Sequence, residues 1–302
     1  MQRLVLALVL VVSTVAAWGV TRGHASPVSG GLVVYSEGSS AVSVPRLRLL
    51  DVDTGAGRPL AALRLAHNAS WAPDGTRVVV EDYGTRGGDG PHLAVIDLRS
   101  GRVHALTHGG ALDESPAWSP DGRRIVFSRA PLAGPDDGLW LMNARGGGER
   151  HVTYNRFGDT CAAWSPDGRR IAFARSRNGS GSRELWFMRS SGTGRHRLLP
   201  RASCAAWSPD GSQLAISKQT GRVIAGCGCQ ATDLYLGDAN GGERRLLVRN
   251  GGRATWSPDG SRIVFVRWEG RRTHLWLVNS DGSGLRRLTG GPRSQRAPAW
   301  QP

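Results

Sequence analysis

Two acidic side chains stand at the same place before two tryptophans of the sequence. Asp113 lies five residues before Trp118, Asp159 lies five residues before Trp164, and Glu114 directly follows the first acid. Carboxylates that converge on one site can bind a cation, because hard cations prefer oxygen ligands. They can equally attract the basic part of a peptide. The first chemistry that the sequence suggests is therefore recognition of charge.

Polar and basic side chains occupy neighbouring positions before other tryptophans. Asn68, Arg253 and Arg296 each lie three or four residues before one. If the strands that precede the tryptophans converge, these side chains and the acids form a mixed ring that could bind a charged peptide segment. The alternative is structural: the acids cap backbone amides of those strands and bind no ligand. Both interpretations stay open at this point.

The four cysteines form a second group that departs from its surroundings. Cys161 and Cys204 each lie three residues before a tryptophan, whereas Cys227 and Cys229 lie in the segment 218–231. An even count in an exported chain favours disulfides. Because Cys227 and Cys229 are too close together to pair comfortably, we expect each of them to bridge to Cys161 or Cys204. A zinc site with four thiolate ligands is the alternative.

Signatures of catalysis are missing from the sequence. It contains no Gly-x-Ser-x-Gly nucleophile elbow and no His-Glu-x-x-His zinc motif. We therefore predict a protein that is not an enzyme and needs no cofactor. The alternative is a metal-dependent lyase or lactonase that would use Asp113 and Asp159 with a bound cation.

A repeated motif identifies the elements that must position these side chains. Trp-Ser-Pro-Asp-Gly, with Ala for Ser in the first copy, occurs at residues 71–75, 118–122, 164–168, 207–211 and 256–260, and Trp300 begins a sixth copy. Successive tryptophans are 43 to 49 residues apart. A period of this size is typical of a propeller blade of four strands.

Each repeat has the same order of segments. Pro, Asp and Gly favour a tight turn, which joins the strand ending at tryptophan to an apolar run such as residues 125–127. A second apolar strand follows, for example residues 139–142, and then an Arg-rich strand such as residues 286–289. Charge on that last strand protects an exposed sheet edge. The repeated Trp and Asp are therefore interpreted as structural.

The two ends of the repeat region complete each other. Residues 32–36 match the second strand of a unit and residues 47–51 match the third, but no tryptophan strand precedes them. The C-terminal segment 297–300 is a tryptophan strand without a unit. Pairing of the two would close the ring. The sequence therefore predicts an all-β, six-bladed β-propeller over residues 26–302.

These motifs resemble the TolB-type propeller repeat, and the resemblance covers residues 30–302. It implies a six-bladed propeller that acts as a binding module. The TolB protein also carries an α/β domain ahead of its propeller, for which residues 26–30 leave no room. Related repeats precede the catalytic domain of prolyl-oligopeptidase-like enzymes, and this chain ends where such a domain would begin.

The first 25 residues are typical of an export signal. Arg3 precedes an apolar run over residues 4–17, and residues 23–25 form a small-x-small cleavage site before Ser26. We expect a periplasmic or extracellular protein; an uncleaved segment that anchors it in the membrane is the alternative. No cysteine directly follows the apolar run, which argues against a lipoprotein.

The net charge of +15 comes almost entirely from arginine, since Lys218 is the single lysine. Arginines scattered over exposed strand edges explain this charge, and we predict no nucleic-acid partner. Binding to an anionic polymer is the electrostatic alternative.

From these features we predict a monomeric, exported module that binds a protein or a cell-envelope component. Binding is expected on the face that carries the starts of the innermost strands and the loops 81–91, 129–138, 175–184 and 218–231.

Overall fold

The computed structural model describes residues 31–38, 45–60, 63, 65–84, 90–132, 137–155, 158–177, 181–224, 230–242 and 244–302. These residues form 24 strands in six antiparallel sheets of four strands, and this part of the chain contains no helix. The predicted six-bladed propeller is confirmed. The N-terminal segment 1–25 lies outside the described residues, as do Cys227 and Cys229.

Each strand is identified by its place in the blade, in the order of blades 1 to 6. The innermost strands are β24 (Ser294–Trp300), β4 (Ala66–Trp71), β8 (Ala111–Trp118), β12 (Asp159–Trp164), β16 (Ala202–Trp207) and β20 (Gly251–Trp256). The second strands are β1 (Leu32–Gly38), β5 (Arg77–Asp82), β9 (Arg124–Pro131), β13 (Arg170–Ser176), β17 (Gln213–Val223) and β21 (Arg262–Glu269).

The third strands are largely buried, whereas the outermost strands are short and mostly exposed. The third strands are β2 (Arg46–Asp51), β6 (His92–Asp97), β10 (Gly138–Asn143), β14 (Arg183–Arg189), β18 (Gln230–Asp238) and β22 (Arg272–Asn279). The outermost strands are β3 (Gly57–Pro59), β7 (Val103–Ala105), β11 (Arg150–His151), β15 (His196–Pro200), β19 (Arg244–Val248) and β23 (Arg286–Arg287).

The ring closes where the C-terminal strand joins the first blade. In the antiparallel pair of β24 and β1, Trp300 lies opposite Val33 and Ala299 lies opposite Val34. The amide of Gln301 also donates a hydrogen bond to the carbonyl of Leu32 at 2.8 Å. The closure expected from the sequence is therefore confirmed, and blade 1 combines both ends of the repeat region.

The core lies between neighbouring blades rather than at one centre. Phe127, Phe173 and Phe265, each in the middle of a second strand, are fully buried. They pack in separate clusters that join one blade to the next. Burial of each such side chain stabilises the fold by about 1.5–3 kcal/mol. This explains why the second strands are apolar on both faces.

Each repeated tryptophan joins two blades, as the sequence predicts. The indole of Trp164 donates a hydrogen bond to the carbonyl of Ala117 in the preceding blade at 3.1 Å. From that same blade, the guanidinium of Arg124 lies 4.9 Å from the centre of the Trp164 ring. The same stacking recurs for Arg77 over Trp118 and Arg170 over Trp207. Part of the arginine excess therefore seals the interfaces between blades, a role that the expectation of scattered edge arginines missed.

The Pro-Asp-Gly turns satisfy their own polar groups. In blade 3, Asp121 accepts hydrogen bonds from the Ser119 hydroxyl at 2.5 Å and from the Arg123 amide at 3.1 Å. Gly122 has a φ of 69°, which a residue without a side chain adopts most easily. The turn aspartates are structural, as predicted. We call the side of the molecule that carries these five turns the turn face.

Candidate functional site

A bulge in every innermost strand determines which side chains reach the channel. The register with the second strand shifts in all six blades, as between Glu114 and Ala117 in blade 3. The residue three before tryptophan has a positive φ in five blades, at Asn68, Ser115, Cys161, Arg253 and Ala297. β-Bulges of this kind redirect side chains.

The bulge separates two kinds of position at the start of the innermost strands. The residues five before tryptophan are buried in all six blades, whereas those four and three before it keep part of their surface accessible, with Gly252 the one exception. These two accessible positions line the channel. We call the surrounding surface, with the loops between second and third strands, the channel-mouth face.

Asp113 and Asp159 belong to the buried positions. Their side chains are 2% and 0% exposed. Arg129 holds Asp113 in two hydrogen bonds of 2.6 and 2.9 Å, and Arg175 holds Asp159 in two of 2.9 and 2.7 Å. Each pair is bidentate, the strongest arrangement for these groups. The two acids are thus neutralised inside their own blades, and neither interpretation made from the sequence, a channel ligand or a cap of backbone amides, describes these contacts.

The arginines of these pairs are also stacked on tryptophans. The guanidinium of Arg129 lies 4.9 Å from the ring centre of Trp140, and that of Arg175 lies 4.7 Å from the ring centre of Trp186. Blade 6 repeats the stacking with Arg267 over Trp276 at 4.7 Å. The carboxylates in blades 3 and 4 are therefore part of a structural layer of Asp, Arg and Trp.

A buried carboxylate that the sequence interpretation missed organises the channel between blades 2 and 3. Glu81, 1% exposed, accepts hydrogen bonds of 2.6 Å from the Asn68 amide and of 2.6 Å from the backbone N–H of Ser115. His67 Nδ1 lies 3.3 Å from its other oxygen, and the Tyr83 hydroxyl donates to that oxygen at 3.3 Å. The signal that could have revealed it was an acid directly after the apolar run 78–80, where the second strands of the other blades carry Ser, Ala or Val.

These contacts keep Glu81 ionised. Burial by itself would raise the pKa of the Glu81 carboxyl, but the hydrogen bonds from His67 and from the Ser115 amide outweigh it and hold the pKa below its usual range. Asn68, which the sequence predicts as a binding residue, therefore reaches the channel but is committed to Glu81.

Glu114 is the predicted acid that does reach the channel. It is half-buried, and no hydrogen bond or ion pair joins its carboxylate to another described residue. Burial and the negative charge of Glu81 raise the pKa of Glu114, while the charges of Arg183 and Arg253 act in the opposite direction. Blades 2 and 3 thus give one side of the channel an acidic character.

Three arginines give the other side of the channel a basic character. Two of them are Arg253 and Arg296, which the sequence analysis names as binding residues and which lie three and four residues before the tryptophans of blades 6 and 1. Arg183, for which the sequence predicts no role beyond its place in the loop 175–184, begins β14 and donates a hydrogen bond to the hydroxyl of Thr160 on the innermost strand of blade 4. Burial lowers the pKa of Arg253 and of Arg183, yet a guanidinium stays protonated at neutral pH.

One disulfide joins the innermost strands of blades 4 and 5. Cys161 and Cys204 are bonded to each other, with their Cα atoms 5.2 Å apart. Our expectation that each would bridge to Cys227 or Cys229 is therefore wrong, and so is the four-thiolate zinc site. The reason is geometric: equivalent residues on the innermost strands of neighbouring blades lie side by side around the channel. The spacing along the chain does not show this.

Large apolar side chains are exposed around the channel mouth. Tyr154 is 65% exposed and Leu132 is 58% exposed, and both lie in connections on the channel-mouth face. The hairpin of β17 and β18 also rises on this face, since its strands reach Val223 and resume at Gln230. Much of the expected loop 218–231 is therefore strand, and Val223 at the end of β17 is exposed.

The described part of the chain shows neither a metal centre nor a membrane span. No group of three or more His, Cys, Asp or Glu side chains in it is placed to hold a metal ion. None of its elements is a helix long and apolar enough to cross a membrane.

Comparison with known proteins gives one family and many similar folds. The TolB beta propeller domain family matches residues 132–302. TolB from Acinetobacter baumannii has a similar structure, with 21% identity, a TM-score of 0.75 and coverage of 90% of this chain and 67% of that one. The putative TolB from Agrobacterium tumefaciens gives 18% identity, a TM-score of 0.66 and coverage of 86% and 89%.

An enzyme shares the fold at greater distance. An oligogalacturonate lyase in complex with manganese gives 17% identity, a TM-score of 0.54 and coverage of 77% of this chain and 70% of that one. A search of curated protein sequences found no match. At these identities the structural matches establish the architecture, which binding proteins and enzymes share.

Proposed function

Because the chain belongs to the TolB beta propeller domain family, we propose that it is an exported binding module. Its channel-mouth face would recognise a protein or another component of the cell envelope. The observation that carries this proposal combines two features of that face. No ion pair or side-chain hydrogen bond with another described residue holds Glu114, Arg253 or Arg296, and exposed apolar side chains lie around them. Aromatic and arginine side chains are typical anchors of protein interfaces.

Two features support export. The apolar run over residues 4–17 after Arg3 has the composition of a signal peptide. The disulfide between Cys161 and Cys204 is the kind of bond that persists in oxidising compartments. Both are consistent with a periplasmic or extracellular protein.

The enzyme alternative would need carboxylates that are free to bind a cation. Asp113 and Asp159, the acids named for that role, are held by Arg129 and Arg175. Glu114 lies among charges of both signs, those of Glu81, Arg183 and Arg253. Metal analysis of the purified protein separates the two proposals. A stoichiometric cation that is lost in a Glu114→Gln variant would favour the enzyme.

Photo-cross-linking from two faces tests the binding module. A photoreactive amino acid replaces Tyr154 or Leu132 on the channel-mouth face, and Val103 or Leu285 near the turn face, where both side chains are also exposed. We expect the same partner to be captured from both channel-mouth positions in the envelope of the source organism, and not from the two controls. Equal capture from all four positions would overturn the proposal.

Salt dependence tests the third alternative. Binding to an anionic polymer through the general positive charge would collapse in moderate salt, since ions screen exposed charges. Cross-linking from Tyr154 should instead persist there, because apolar contacts contribute to the interface.

A further inference from the structure

We propose that the channel is a receptor for a carboxylate on an extended acidic segment of the partner protein, bound between Arg253 and Arg296. This inference rests on the proposed function and names the chemistry of the partner. The site would take one Asp or Glu side chain, or a chain terminus, inserted into the channel.

The position of the two arginines on neighbouring strands carries the proposal. Arg253 belongs to β20 of blade 6 and Arg296 to β24 of blade 1, and the backbone N–H of Trp300 donates to the Thr255 hydroxyl at 3.2 Å across these strands. Both side chains start at the two accessible positions before tryptophan, which line the channel. Their guanidiniums repel each other there, so an anion between them would relieve the repulsion.

The same chain shows how its arginines are satisfied elsewhere. Arg129 and Arg175 each hold a carboxylate in a bidentate pair. In contrast, no ion pair or hydrogen bond with another described residue holds the guanidinium of Arg253 or of Arg296, and the charges of Glu81 and Glu114 act on Arg253 only from a distance. Guanidinium groups match carboxylates in planar, bidentate geometry. Arg253 and Arg296 therefore lack the bidentate carboxylate partner that Arg129 and Arg175 have inside their own blades.

Arg183 extends the basic side of the channel. It reaches over Thr160 from blade 4 and is held there by the hydrogen bond to the threonine hydroxyl. Glu114 belongs to blade 3. The charges of Arg183 and Arg253 act on its carboxylate, but neither arginine forms an ion pair with it. The channel thus has a basic side in blades 4, 6 and 1 and an acidic side in blades 2 and 3.

This polarity favours a single carboxylate over a polyanion. A polyphosphate or a sulfated polymer would bring several negative charges close to Glu81 and Glu114. An extended peptide can place one carboxylate against Arg253 and Arg296 while its neutral backbone passes the acidic side.

The exposed apolar side chains identify a peptide rather than a free anion as the occupant. Tyr154 and Leu132 lie on the same face as the channel opening and are exposed. A protein segment that enters the channel would cover them with its neighbouring residues, whereas a small carboxylate would leave them in water. The partner is therefore a protein with an acidic, extended segment.

Titration with matched peptides tests this inference. The probes are capped pentapeptides Ala-Ala-Glu-Ala-Ala and Ala-Ala-Gln-Ala-Ala, which differ in one charge, and binding is followed by NMR of the full-length protein. We expect the Glu peptide to bind about tenfold more tightly, the effect of a charge-assisted hydrogen bond. Sodium acetate and inorganic phosphate serve as small-anion arms. If either equals the Glu peptide at the same concentration, the site is a small-anion site and the peptide proposal fails.

Substitution by residues that other blades carry at the equivalent positions should keep the fold intact. Arg253→Asn introduces the residue that blade 2 carries at the equivalent position, Asn68, where φ is also positive. Arg296→Ser introduces the residue of blade 5, Ser203. Each should weaken binding of the Glu peptide about tenfold and leave the Gln peptide unchanged. Arg102→Asn, an exposed residue near the turn face that removes the same charge, is the matched control and should change neither.

The variant Glu114→Gln should change the affinity for the Glu peptide in the opposite direction, which completes the test. Removing its negative charge should strengthen binding of the Glu peptide several-fold, because Glu114 repels the incoming carboxylate. Equal binding of the two peptides, or equal losses in Arg253→Asn and Arg102→Asn, would overturn the inference. If Tyr154 cross-links to a partner but the protein shows no preference for the Glu peptide, this inference alone is rejected. If neither the cross-linking nor the peptide titration gives the expected result, the binding module is rejected as well.

Discussion

On the turn face, every Pro-Asp-Gly aspartate accepts hydrogen bonds from side chains or amides of its own turn, as Asp259 does from Ser257 and Ser261. On the channel-mouth face, Arg253, Arg296 and Glu114 have no such local partners among the described residues. The five turns have nearly the same sequence, and in each of them the aspartate satisfies polar groups of the turn. The channel positions differ from blade to blade, and such a difference is what recognition of one asymmetric ligand would require. This propeller is therefore regular on the face where its turns repeat and irregular on the face where we propose that it binds.

The largest expected effect comes from the strand that serves both faces. β24 supplies Arg296 to the channel and Trp300 to the blade interface, so deletion of residues 292–302 should open the ring. We expect the loss of most of the about 5–15 kcal/mol that stabilises a domain, measured as urea unfolding followed by tryptophan fluorescence. Deletion of the exposed Pro302 alone is the control. A truncated protein with an unchanged unfolding midpoint would show that closure does not stabilise either face.

The disulfide offers an intermediate effect that is confined to the channel-mouth face. It closes a segment whose ends are 43 residues apart, so the double variant Cys161→Ser, Cys204→Ser should lose about 2–4 kcal/mol of unfolding free energy. Binding of the Glu peptide should also weaken, because blade 4 carries Arg183. Non-reducing peptide mapping should recover the two cysteines in one linked fragment. Recovery of Cys161 linked to Cys227 or Cys229 would contradict the pairing.

The turn face should show the smallest effect, as a dependence of stability on pH. Hydrogen bonds from Ser208 and Ser212 lower the pKa of Asp210 to about 2, and those from Ser257 and Ser261 do the same for Asp259. A depressed pKa in the folded state stabilises the protein above the unfolded pKa of about 3.9. That stability is lost as the pH falls toward 2.

A double variant tests this dependence. In Asp210→Asn, Asp259→Asn, the urea midpoint should fall less steeply between pH 4 and 2 than in the parent, because asparagine does not titrate. Parallel curves for the two proteins would show that the turn aspartates contribute nothing to acid unfolding. Peptide binding at neutral pH should be unchanged, since both residues lie on the turn face.

The sequence by itself determined the architecture of this protein. Trp-Ser-Pro-Asp-Gly is a local signal: Pro and Gly restrict the turn, and the apolar run after it can be stable only when buried. A regular period then specifies the number of blades, and the unmatched strands at residues 32–36 and 297–300 specify the closure. Arg253 and Arg296 could also be placed near the channel, because their spacing from tryptophan repeats.

Only the tertiary structure decided which charged side chains form ion pairs inside the blades and which remain in the channel. Asp113 lies one residue from Glu114 in the sequence, but the pleat and the bulge turn Asp113 into the blade, where Arg129 neutralises it, and leave Glu114 in the channel. Glu81 and Arg183 come to the same channel from a second and a third strand, and Cys161 meets Cys204 across two blades. Ion pairs and disulfides depend on distances between strands, and residue spacing along the chain does not contain those distances.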